Sequence, residues 1–199
     1  QKILQNAEEF GEKPALSQKK DSGETETLTW SQDSDYVMRI SRSLIALGHE
    51  EGDRLSIYSF NRKEWFACYA ASYFTNGAAV GVYHTCSPDE VEWIVGNSGS
   101  KFVFVGHNPQ WGRDPEKLPR NRLSKILESL PEVEHVIMME DEEIIDHPIA
   151  MSWDDFMTKG DTIEESEVKD RISNIQPDST ASLIYTSGTT GNPKGVEKH

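Results

Sequence analysis

The chain is best interpreted from one stretch near its end, which reads Ala181-Ser182-Leu183-Ile184-Tyr185-Thr186-Ser187-Gly188-Thr189-Thr190-Gly191-Asn192-Pro193-Lys194-Gly195-Val196. An apolar run typical of a β-strand leads into a loop rich in glycine and hydroxyl residues, with a single lysine. Glycine adopts backbone conformations closed to other residues, so such a loop can turn main-chain N–H groups toward an anion. The stretch 181–196 therefore predicts a strand followed by a phosphate-binding loop.

Nine loop residues are the candidate ligands of a polyphosphate. A hydrogen bond to a charged partner contributes about 1.5–3 kcal/mol net, so hydroxyl groups and a lysine suit phosphate oxygens. An ordinary P-loop is excluded because it requires Gly-Lys-Ser/Thr, whereas proline and glycine flank the lysine here. The alternative is a solvated surface loop. The predicted ligands are Thr186, Ser187, Gly188, Thr189, Thr190, Gly191, Asn192, Pro193 and Lys194.

The length and net charge of the chain restrict its domain size and the kinds of partner it can bind. The chain has 199 residues, enough for one domain, or one and a half, with a buried core. Its 34 acidic and 20 basic residues give a net charge of −14 at pH 7. This excess of negative charge argues against nucleic-acid binding and against a broadly cationic membrane-docking face. No protein partner is identifiable from the sequence.

The two cysteines indicate the redox state of the protein's compartment and bear on metal binding. Cys68 and Cys86 lack Cys-x-x-Cys spacing, which predicts free thiols in a reducing compartment. His84 lies two residues before Cys86 without further ligands nearby, so no metal site is predicted.

The uncharged span 66–83 is long enough to raise the question of a membrane helix. The Thr-Asn-Gly triplet at 75–77 predicts a helix end inside it, which favours a soluble or peripheral protein.

Predicted strands and helices alternate along the chain. Thr29 and Gln32 have capping-box spacing ahead of a helical apolar pattern. Further helices are predicted to begin at Asn61, with Glu64 three residues later, and at Ser87. This alternation predicts an α/β fold whose strands form a helix-flanked, mostly parallel sheet, with ligands at the carboxyl ends of the strands. The predicted strands are 54–60, 78–83, 101–105, 133–139 and 183–185.

Several conspicuous residues are assigned no functional role. The acidic stretches 140–143 and 164–170 are interpreted as solvated surface without catalytic groups. Trp30, Trp65 and Trp93 lie at helical core spacing. They are therefore interpreted as packing residues.

The loop carries a resemblance to a known family. The segment 185–196 resembles the phosphate-binding signature of the adenylate-forming (AMP-binding) superfamily. Segments 60–66, 81–83, 87–91 and 152–157 resemble the bubblegum-type long-chain acyl-CoA synthetases, and the similarity runs from about Phe10 onward. The resemblance implies that residues 1–199 are an N-terminal and incomplete part of the large AMP-binding domain.

The resemblance also implies an activity. The family joins a fatty acid to coenzyme A (CoA) with ATP and Mg²⁺ through an acyl-AMP intermediate, and the loop would handle the departing pyrophosphate. Catalytic residues are expected beyond residue 199, so this chain alone is expected to be inactive. Because Glu197 and Lys198 depart from the family pattern, no role is assigned to His199.

Two alternatives to a long-chain fatty acid–CoA ligase stay open. One is another acid-adenylating enzyme that shares the loop, such as a short-chain or aryl-acid ligase. The other is a truncated, non-catalytic binding module, which a stop codon directly after His199 would favour. The resemblance implies a cytoplasmic protein, with peripheral association with the endoplasmic reticulum or another membrane as the alternative.

Overall fold

The computed structural model describes residues 2–20, 22–106, 114–139, 143–186 and 191–199. The helices in these ranges are α1 Lys2–Phe10, α2 Trp30–Ala46, α3 Lys63–Phe74, α4 Pro88–Ser98, α5 Pro119–Ile126, α6 Trp153–Lys159 and α7 Glu165–Asn174. The strands are β1 Pro14–Lys19, β2 Thr25–Thr29, β3 Arg54–Tyr58, β4 Ala78–Val82, β5 Ser100–Val105, β6 His135–Met138, β7 Ala150–Ser152, β8 Ser182–Thr186 and β9 Lys194–Lys198.

Seven of the strands form one sheet in the order β7-β6-β5-β3-β4-β8-β9. All neighbours are parallel except β8 and β9, which are antiparallel. Parallel neighbours need long crossover connections, and helices supply several of them. The predicted α/β fold with a mostly parallel, helix-flanked sheet is confirmed. A separate antiparallel hairpin of β1 and β2, which the sequence did not predict, lies outside this sheet.

The sheet is covered by helices on both faces. Residues 102–105 of β5 form a continuous buried apolar run: Phe102 and Phe104 point to one face and Val103 and Val105 to the other. The first face packs against α2, α3, α6 and α7, and the second against α4 and α5. A continuous apolar run is expected for a strand buried on both sides.

Two of the predicted helix starts are confirmed and one is wrong. Thr29 caps α2 and Ser87 caps α4, each in a complete capping box. Helix α3 begins one residue later than predicted, with Arg62 as the N-cap and no side-chain cap. Glu64 does not reach back to Asn61, because its buried carboxylate forms an ion pair with Arg62.

The stretch 164–170 is not only solvated surface. It lies largely within α7, which buries Val168 and Ile172 one helical turn apart. Arg171 on this helix donates a hydrogen bond of 2.6 Å to the backbone carbonyl of His49. The acidic residues around Val168 hide an amphipathic pattern, so this helix was missed.

Cys68 and Cys86 are free, as the sequence predicts, and both are buried. Burial raises the pKa of the Cys68 thiol well above its ordinary value. Within the described ranges, none of the helices combines the length and the apolar character that crossing a bilayer requires.

The side chain of His49 is an unusual part of the core. It is fully buried, and neither ring nitrogen has a hydrogen-bond partner among the residues that the structure describes. Its ring lies 5.5 Å from that of Phe102, and a Cβ added to Gly77 would come within 2.5 Å of its Cε1 atom. Burial lowers the pKa of His49 to about 4, although the carboxylate of Asp53 opposes this shift. His49 is therefore neutral at pH 7.

We expect His49 to destabilise the folded chain as the pH falls. Below pH 6.5 the unfolded chain binds a proton at this residue, whereas the folded chain does not until the pH approaches about 4. Unfolding thus takes up a proton in this window, which lowers stability by up to about 1.4 kcal/mol per pH unit. The measurement is urea unfolding between about pH 7 and pH 4.5 for the wild type and His49→Leu. The wild type should lose stability more steeply, and equal slopes would contradict the assignment.

Candidate phosphate-binding site

The predicted loop connects β8 to β9 at one end of the sheet. The two strands are antiparallel, and their register places Thr186 opposite Lys194 at the base of the loop. Strand β8 is parallel to β4, so the loop follows the carboxyl end of a parallel strand. Open α/β sheets bind their ligands at this edge.

Five of the nine predicted ligands lie in the described part of the chain. Gly191 has a φ of 93°, a left-handed conformation that favours glycine. Thr186, Asn192 and Lys194 are exposed, and Pro193 is half-buried. Among the described residues no carboxylate forms an ion pair with Lys194, so its charge is available to an anion. The other four predicted ligands, Ser187, Gly188, Thr189 and Thr190, lie outside the described residues.

Tyr185, which precedes the loop, is held by a neighbouring helix. Its hydroxyl donates a hydrogen bond of 2.7 Å to Oδ1 of Asn97 on α4, and burial raises the pKa of the phenol. Its ring lies across Gly195, where an added Cβ would come within 3.0 Å of Cζ. Gly195 therefore allows the two strands to pack with the Tyr185 ring between the hairpin and α4.

Trp93 contacts the β9 side of the hairpin, at the residue directly before that strand. Its indole Nε1 donates a hydrogen bond of 2.8 Å to the carbonyl of Pro193, directly before Lys194. The side chain is 38% exposed. The interpretation of Trp93 as a simple packing residue is therefore wrong, because its polar atom bonds the predicted phosphate loop.

The segment between β4 and α4 is fixed by hydrogen bonds from Arg122 and Tyr58. The guanidinium of Arg122 donates to the carbonyls of Thr85 and Cys86 at 3.0 and 2.7 Å. The hydroxyl of Tyr58 also donates to the Cys86 carbonyl, at 3.1 Å, and burial raises the pKa of Tyr58 to about 12. Burial, followed by the charge of Arg122, lowers the pKa of His84. The uncharged form of the His84 imidazole is therefore favoured.

The described part of the hairpin is suited to stabilising negative charge. It combines a left-handed glycine with a lysine that no described carboxylate neutralises, and Thr186 adds a hydroxyl opposite that lysine. Groups placed in this way before a reaction stabilise charge that develops on oxygen atoms.

The sequence matches the AMP-binding enzyme family over residues 3–198. The chain belongs to this family. The long-chain-fatty-acid–CoA ligase ACSBG2 of Gallus gallus is 31% identical over 187 residues, which cover 94% of this chain and 23% of that protein. The ligase of the same name from Homo sapiens is 31% identical over 194 residues, with 94% and 27% covered. The predicted resemblance to bubblegum-type relatives is confirmed.

Solved structures confirm the fold. The anthranilate CoA ligase AuaEII, in complex with anthranoyl-AMP, aligns with a TM-score of 0.72 at 20% identity, covering 98% of this chain and 33% of that protein. The N-terminal domain of FACL13 from Mycobacterium tuberculosis aligns with a TM-score of 0.70, also at 20% identity, covering 98% of this chain and 42% of that domain. The chain spans about a quarter of the length of the curated relatives it matches.

Proposed function

We propose that this chain is the phosphate-loop part of a long-chain fatty acid–CoA ligase. The observation that carries the proposal is the hairpin, which places Lys194 opposite Thr186 at the carboxyl edge of the sheet. Family membership and the ligase names of the relatives support it. The proposed substrates are a fatty acid, ATP and CoA.

The proposed reaction has two steps. A carboxylate oxygen of the fatty acid attacks the α-phosphorus of ATP, and the bond to the bridging oxygen of pyrophosphate breaks to leave acyl-AMP. The thiolate of CoA then attacks the acyl carbonyl carbon, and AMP departs. In the first step negative charge grows on the leaving pyrophosphate, and the ammonium of Lys194 stabilises it electrostatically.

Magnesium enters this proposal as part of the nucleotide substrate. Mg²⁺ keeps several waters and is commonly held by substrate phosphates with one or two carboxylates. Groups of three or more His, Cys, Asp or Glu side chains arranged to hold a metal are absent from the described ranges. We therefore assign no residue of the described chain to the ion.

Product analysis tests this proposal. With a long-chain fatty acid, ATP and CoA, the full open reading frame should form acyl-CoA, AMP and pyrophosphate in equal amounts. Formation of ADP and phosphate would contradict it. The 199-residue chain alone should form no acyl-CoA, and detectable synthesis by it would overturn the proposal that the catalytic residues lie elsewhere.

The alternative function is adenylation of a different acid, supported by the fold shared with an anthranilate CoA ligase. Exchange assays with a panel of short-chain, aryl and long-chain acids distinguish this alternative from the long-chain ligase.

We propose a cytoplasmic location, with peripheral attachment to the endoplasmic reticulum or another membrane as the alternative. Fractionation of cells that express the full open reading frame decides between these locations.

A further inference from the structure

Two side chains on one face of α4 contact the two limbs of the phosphate-loop hairpin. Trp93 and Asn97 are four residues apart, so they lie on the same side of the helix. Trp93 donates to the carbonyl of Pro193 at 2.8 Å, and Asn97 accepts the hydroxyl of Tyr185 at 2.7 Å. Each limb of the hairpin is therefore tied to α4 by one side-chain hydrogen bond.

Helix α4 is a firm support for these contacts. Its first turn is closed by the capping box of Ser87 and Glu90, and its end is set by Gly99 in the left-handed conformation. Its inner face buries three apolar side chains in the core against the sheet and α5. Because α4 is fixed at both ends and along its inner face, Trp93 and Asn97 on its outer face are held in place as well.

Strand β9 lies at the edge of the sheet in the described part of the chain. All five of its residues are exposed, and it pairs with β8 up to Lys194, which lies opposite Thr186. The end far from the loop is held by a hydrogen bond of 2.6 Å from the Ala181 amide to the Lys198 carbonyl. At the loop end, the bond from Trp93 to Pro193 holds the peptide that enters β9.

We infer that Trp93 and Asn97 are positioning residues that set the place of Lys194 relative to the phosphates. Because the peptide bond is planar, holding the carbonyl of Pro193 also orients the N–H of Lys194. Asn97 holds the opposite limb, so the base of the loop is fixed on both sides. This inference rests on the proposed function of the loop and adds the residues that align it.

Hydrogen exchange of this chain tests the positioning. In Trp93→Phe, which keeps the aromatic ring and loses the donor, the amides of 194–198 should exchange about three- to tenfold faster, as expected for one lost hydrogen bond. Trp30→Phe is the matched control, because Trp30 begins α2 on the other face of the sheet. Equal exchange in the wild type and Trp93→Phe would overturn the inference.

Kinetics of the full open reading frame test whether the positioning matters for phosphates. Trp93→Phe and Asn97→Leu should raise the KM for pyrophosphate in ATP–pyrophosphate exchange about three- to tenfold without shifting the urea midpoint. Asn97→Asp, which keeps an acceptor for Tyr185, should restore most of the loss. Faster hydrogen exchange with an unchanged KM would show a merely structural role and overturn the inference.

The two experiments separate this inference from the proposed function. If the wild-type protein shows no exchange with any acid, the ligase proposal fails. The hydrogen-exchange comparison then decides alone whether Trp93 holds the loop.

Discussion

Replacing Lys194 by alanine in the full open reading frame is expected to slow acid-dependent ATP–pyrophosphate exchange about 10- to 100-fold. A hydrogen bond to a charged group contributes about 1.5–3 kcal/mol. About 1.4 kcal/mol of lost transition-state stabilisation slows a reaction tenfold. Lys194 is exposed and lies opposite Thr186 at the base of the loop, so its removal takes away charge and little packing. The stability of the variant should therefore stay close to that of the wild type.

Lys198→Ala is the control for this variant. Lys198 lies on the same strand and is exposed like Lys194. It projects to the same side of the sheet, because the two residues are an even number of positions apart in the strand. It lies at the end of β9 away from the loop, opposite Ser182. Its removal should leave the exchange rate within about twofold of the wild type. Unchanged exchange in Lys194→Ala would contradict the role assigned to the lysine.

Replacing Phe104 by alanine is expected to lower the free energy of unfolding by about 3–5 kcal/mol, the range typical of buried phenylalanines. Phe104 is fully buried near the carboxyl end of β5. Its ring meets Phe156 edge to face at 5.4 Å and Trp153 at 6.2 Å. Truncation would leave a cavity between β5 and α6 that two rigid aromatic rings cannot fill.

Urea unfolding of this chain measures the effect. Phe66→Ala is the matched control, because Phe66 is 49% exposed on α3 and loses less buried area. We expect that substitution to cost less than about 1 kcal/mol. A similar loss in the two variants would show that Phe104 is not at the centre of the core.

The parts of the fold that local chemistry determines could be predicted from the sequence. The capping boxes at Thr29 and Ser87 depend on residues three apart, so the starts of α2 and α4 are visible without the tertiary structure. The loop after β8 is equally local, since Gly191 takes the positive φ that its position in the motif predicts.

The parts that depend on distant contacts could not be predicted. Asn61 has the spacing of a cap, but Glu64 is buried by the surrounding fold and forms an ion pair with Arg62 instead. Trp93 bonds Pro193, one hundred residues away, and no local pattern shows that α4 lies beside β8 and β9. The i, i+4 spacing of Trp93 and Asn97 was visible, but its meaning depends on the strand order.

The most direct test of the central claim is ATP–pyrophosphate exchange by the full open reading frame, without CoA, with acids from acetate to very long chains. Exchange measures reversible formation of acyl-AMP, the step for which the Lys194 loop is proposed. We predict exchange that depends on added acid and is confined to long-chain fatty acids. A folded protein that shows no exchange with any acid would contradict the account.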